Sequence, residues 1–133
     1  MFAQAIIWGL TALITLYPTS AGVKADVEPI QGPVFEVKEV RAVWITAYSS
    51  SPDETDDTPF ITASGQTVRD GIVATNLYPF GTKVMIPSLF GDKVFEVQDR
   101  MHARKQNGVD VWMDGKPKAL TFGAHKADIH VLK

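Results

Sequence analysis

From residue 40 onward the sequence is a series of short apolar runs, each bounded by turn residues. The runs are "VRAVWITAYS" (40–49), "GIVAT" (71–75), "KVMIP" (83–87), "KVFEVQD" (93–99), "VDVWM" (109–113) and "DIHVLK" (128–133). They are rich in β-branched and aromatic residues, which fit a pleated surface. In the first run Val40, Ala42, Trp44 and Thr46 share one face, and Arg41, Val43, Ile45 and Ala47 the other. Both faces are largely apolar, which predicts a central strand. "SLFGD" joins the third run to the fourth as a hairpin loop, with positive φ expected at Gly91. "PKALTFG" fits a helical turn with Pro117 at its start and Gly123 at its end. Six short strands with one or two short helical turns predict an all-β domain that closes into a barrel or a sandwich.

The 133-residue chain has room for one such domain, over residues 40–133. Residues 26–39 carry Pro29, Gly32 and Pro33 and no periodicity, so they read as a linker. Residues 1–25 hold an apolar segment from Ala3 to Tyr17, shorter than the roughly 20 residues of a spanning helix. Val23 and Ala25 then fit a signal-peptidase site. A cleaved signal, an N-terminal anchor and a buried hydrophobic helix all stay open. The first two place the remainder outside the cytoplasm.

Several functions are excluded or left without support. Cysteine is absent, so disulfides and thiolate chemistry are ruled out. His102, His125 and His130 do not pair at ligand spacing. The acidic stretch with Asp53, Glu54, Asp56 and Asp57 lacks the calcium-loop spacing. No metal or cofactor is expected. Ser64 in "TASGQ" is not in a nucleophile elbow. The net charge of −2 and the lack of a basic stripe point away from nucleic acid.

Two acids stand out. Asp99 and Asp110 each lie in a strand-like run, eleven positions apart. Aspartate is depleted in strands because its side chain competes for backbone hydrogen bonds. The alternation puts Asp99 on the face of Phe95 and Val97, expected to be the inner one, and Asp110 on the face of Trp112. A carboxyl beside apolar surface holds its proton more readily and can serve as a general acid. An aromatic such as Trp112 or Tyr48 could stack on a sugar. Each aspartate could equally cap a turn, and each aromatic could belong to the core.

The segments "TAYSS", "TPFITASGQ", "GIVATNLYPFGTKVMIP", "GDKVFEVQDR", "VDVWM", "ALTFG" and "IHVL" together resemble the three-aspartate (3D) domain of bacterial cell-wall proteins. That domain occurs in the membrane-bound lytic transglycosylase A family and in resuscitation-promoting factors. The resemblance spans residues 43–132. It implies a six-stranded double-psi β-barrel and cleavage of peptidoglycan glycan strands by lytic transglycosylation. It also implies that Asp110 is the acid/base and Asp99 its partner. Asn76 stands where the family has its first aspartate. Tyr48 and Thr62 fall in segments near the family's groove. Trp112, Arg100 and His102 complete the expected substrate contacts. The alternative is an expansin-like module that binds the wall without cutting it. Between the two aspartates the family has a glycine-rich turn. Here the run is "RMHARKQNG", with Arg100, His102 and Arg104. A monomer is expected.

Overall fold

The computed structural model describes Gly22, residues 32–51 and residues 57–133. The apolar N-terminal segment and Asp53, Glu54 and Asp56 lie outside the described residues. The chain divides into two compact units, Met1–Gly32 and Pro33–Lys133, and every described strand and helix belongs to the second.

That unit is all-β with two short helices. The strands are β1 (Val37–Tyr48), β2 (Ile72–Thr75), β3 (Lys83–Met85), β4 (Val94–Asp99), β5 (Gly108–Trp112) and β6 (His125–Leu132). The helices are α1 (Pro87–Phe90) and α2 (Lys116–Phe122). Strand order is β1-β5-β2-β4-β3-β6, and β6 pairs back onto β1, which closes the barrel. Two neighbouring pairs are parallel, β1 with β5 and β2 with β4; the rest are antiparallel. Closure satisfies backbone groups that an open sheet would leave unpaired at its edges.

Alternation along the strands fills the barrel. Val43 and Ile45 on β1, Val73 on β2, Phe95 and Val97 on β4, Val109 and Val111 on β5, and Ile129 and Val131 on β6 form one core cluster. Each buried side chain of this size contributes roughly 1.5–3 kcal/mol over its exposed state. Phe90 meets Phe95 edge to face at 5.0 Å and closes one side of the core.

The strands begin and end within a few residues of the sequence expectation. β1 starts at Val37, inside the stretch read as linker, and β6 starts at His125, three residues earlier than expected. Both extensions have one cause, an antiparallel ladder from Val37↔Leu132 to Ile45↔His125. The β3–β4 hairpin forms as expected, but its loop contains α1, which begins at Pro87 and is capped by Gly91. Gly91 has φ 62° and ψ −130°, a conformation essentially reserved for glycine.

β1 is flanked on both sides, by β5 and β6, as expected of a central strand, but only one of its two apolar faces is buried. Val43 and Ile45 are fully buried, whereas Val40 and Trp44 are about half exposed. In a closed barrel a strand with two neighbours still turns one face outward.

Candidate active site

The register of four consecutive barrel strands builds the site. Thr46 on β1 pairs with Asp110 on β5, Asp110 pairs with Ala74 on β2, and Ala74 pairs with Asp99 on β4. Residues opposite each other on adjacent strands share a face. This row alternates with Ile45, Val73, Val109, Val111 and Val97, which belong to the core. Thr46, Ala74 and Asp110 therefore face away from the core.

Asp99 joins the row through a β-bulge. The β2–β4 register runs Val73↔Val97 and then Ala74↔Asp99, so Gln98 is the extra residue. Simple alternation places Asp99 on the inner face, and the bulge corrects this by moving it into line with Ala74. The bulged backbone is held from outside, because the Gln98 carbonyl accepts from the Ser64 N–H at 3.2 Å. Ser64 belongs to a tight turn closed by Thr62 N–H to the Gln66 carbonyl and opened at Gly65, φ 86°.

Asp99, Asp110, Ala74 and Tyr48 line one open cavity of about 430 Å³. Arg100, Met101, His102 and Lys105 form part of its wall, as do Pro59 and Ile61. The two aspartates lie two strand spacings apart, roughly 10 Å between backbones. Ala74 stands between them and fills little of that gap.

The two carboxylates are held differently. Asp99 Oδ2 accepts from the Tyr48 hydroxyl at 2.7 Å, and Oδ1 accepts from the backbone N–H groups of Ala63 and Arg100, both at 2.9 Å. Both Asp99 oxygens are thus engaged. Asp110 Oδ1 accepts from the Thr46 hydroxyl at 2.8 Å, and its side chain borders the cavity. Tyr48 is buried, and its hydroxyl is pushed well above the usual phenol range. Burial is the main cause; the hydrogen bond to Asp99 and the charges of Asp99 and Asp110 add to it. Tyr48 therefore remains a donor at any physiological pH. β1 and β4 stand opposite each other in the strand order, so the Tyr48–Asp99 bond ties two strands that share no ladder.

The basic loop does not aim its cationic groups simply at the acids. The Arg100 guanidinium donates to the Thr75 carbonyl at 2.9 Å and packs 3.9 Å over the Phe80 ring. His102 borders the cavity, and its Nδ1 accepts from the Arg104 N–H at 3.2 Å. Asn76 organises the loop. Its amide nitrogen lies within 3.1 Å of the carbonyls of Met101, His102 and Lys105. The loop is wound around a side-chain amide.

Five of the eight residues singled out in the sequence therefore come together: Asp99, Asp110, Tyr48, Arg100 and His102. Three do not line this cavity. Asn76 is turned to the loop carbonyls. Thr62 is buried and bonds Ser64 Oγ and the Gln66 N–H within its own turn. Trp112 donates to Ser50 Oγ at 3.0 Å and lines separate hollows. Sequence reasoning missed Thr46, Ala74, Met101, Lys105 and the Ala63 amide. Only the strand pairing reveals the first two, and a backbone donor leaves no trace in residue type. No protein-family model matches the chain, and no curated protein matches it either.

Proposed function

We propose that this protein cleaves peptidoglycan glycan strands by lytic transglycosylation, with Asp110 as the single acid/base. One observation carries the reading: Asp99 and Asp110 flank Ala74 in one open cavity, and Asp99 is held there with both oxygens taken up by protein donors. A group that passes a proton to substrate must bring an oxygen within hydrogen-bond reach of it, and both Asp99 oxygens are already engaged by the protein. A hydrolase of the two-carboxylate type needs both groups for chemistry. Intramolecular transglycosylation needs one. Asp110 protonates the glycosidic oxygen between N-acetylmuramic acid and N-acetylglucosamine, and that bond breaks. Asp110 then takes the proton from the muramyl 6-hydroxyl as its oxygen bonds to C1. The product is a 1,6-anhydro end, and no water is consumed. Asp99, fixed by Tyr48 and two backbone amides, positions the site and supplies fixed negative charge beside the sugar ring where positive charge develops.

The closed six-strand order, with its parallel β1–β5 and β2–β4 pairs, supports a double-psi barrel of the 3D type. The protein would act as a monomer on the wall outside the cytoplasm. A second reading is an expansin-like binding module. It is favoured by Asn76, an amide in the place of a third acid and committed to the loop.

Purified sacculi incubated with the protein should release 1,6-anhydromuropeptides, detected by mass spectrometry. Asp110→Asn should abolish them while the protein still pellets with sacculi. Absence of anhydro products from wild type sinks the enzyme reading and leaves the binding module; full activity in Asp110→Asn sinks the residue assignment.

A further inference from the structure

Beside the carboxylate cavity lies a second hollow of about 330 Å³. Gly108, directly opposite Trp44 in the β1–β5 ladder, is part of its lining. A side chain at Gly108 would meet Met101 Cε at 3.5 Å and Sδ at 3.6 Å, so Met101 lies over the glycine. Trp44 and Met101 both line this slot, together with Gln106 and Asn107. Trp44 is 50% exposed. On the β6 side Lys126 Nζ lies 5.4 Å from the ring centroid; on the β5 side the neighbour is Gly108, which has no side chain.

The slot is continuous with the carboxylate cavity. Met101 and Lys105 line both. Thr46 lines the slot and donates to Asp110. Trp44 and Thr46 are two residues apart on the outer face of β1, about 7 Å along the strand, and Asp110 is one strand spacing of about 5 Å further across. An apolar plate with amide groups at its edge suits the C–H face of a pyranose ring, whose equatorial hydroxyl and acetamido groups point outward to polar partners.

We propose that the Trp44–Gly108–Met101 slot is a sugar subsite that holds the residue of the glycan strand neighbouring the one at Asp110. This rests on the reading of the carboxylate cavity as a glycan site, and extends it to which residues grip the strand. Trp44 provides stacking, and Gly108, having no side chain, lets Met101 settle beside it to line the slot.

The test uses the full chain with Asp110→Asn as the parent, so that substrate is not consumed, and measures co-sedimentation with purified sacculi. Trp44→Ala should weaken binding about tenfold, the factor that corresponds to ~1.4 kcal/mol of aromatic contact. Trp44→Phe should restore most of it, and Gly108→Val, which fills the slot, should weaken binding again. Titration of otherwise unaltered protein with an N-acetylglucosamine tetramer should shift the Trp44 indole N–H resonance, a readout independent of how the variants fold. Binding unchanged in Trp44→Ala, no indole shift, or no binding of the parent to sacculi overturns the subsite. Loss of binding in Trp44→Ala together with no anhydro product from wild type keeps the subsite and rejects only the enzyme reading.

Discussion

Replacing Tyr48 with phenylalanine removes one oxygen from a buried ring and takes away one donor to Asp99. The bond is 2.7 Å long and its acceptor is a carboxylate. Hydrogen bonds to charged groups contribute about 1.5–3 kcal/mol, and Asp99 keeps its two backbone donors, so the loss should be about 2 kcal/mol near neutral pH. The pH dependence is the sharper test. Folding raises the Tyr48 pKa above its ordinary value of about 10, chiefly by burial. The raised value means that its contribution is fully present below pH 10. Above pH 10 the unfolded chain gives up this proton and the folded chain keeps it, so stability falls by about 1.4 kcal/mol per pH unit. Tyr48→Phe has no such proton. Other groups titrate in both proteins and cancel in the difference. Urea unfolding of both proteins at pH 8, 10 and 11 should show a gap of about 2 kcal/mol that has shrunk by roughly 1.4 kcal/mol at pH 11. A gap that stays constant from pH 8 to pH 11 would mean that Tyr48 ionises as easily in the fold as in the unfolded chain, and the account of the Tyr48–Asp99 pair would be wrong.

Two further changes probe the rest of the site. Ala74→Leu should fill the space between Asp99 and Asp110 and abolish both cleavage of sacculi and tetramer binding, at a stability cost of about 1–3 kcal/mol for overpacking; retained cleavage would show that the sugar does not enter between the acids. Asn76→Ala should release the carbonyls of Met101, His102 and Lys105, cost about 1–3 kcal/mol, and speed hydrogen exchange of amides in residues 101–107 far more than in β6. Equal exchange in the two proteins would remove Asn76 as the organiser of that loop.

Residue type and period alone were enough for six strands, the hairpin at Gly91 and the helical turn between Pro117 and Gly123; that Asp99 and Asp110 share a site is an expectation from the family resemblance. The strands, hairpin and helical turn depend on short-range rules: side chains alternate along a strand, glycine takes positive φ, and proline starts a helix. The face on which Asp99 lies could not be read this way. It depends on one extra residue in β4, and a bulge exists only relative to the partner strand. The same holds for Ala74, a plain strand residue in "IVAT" that becomes the gap between two acids because β2 runs between β4 and β5. Thr46 reaches Asp110 from 64 positions away, and Trp44 borders a slot because Gly108 lies beside it. Composition and period speak for what one strand prefers. Which side chains meet across strands is set by closure of the barrel, and that register turns two aspartates, an alanine and a tyrosine into one cavity.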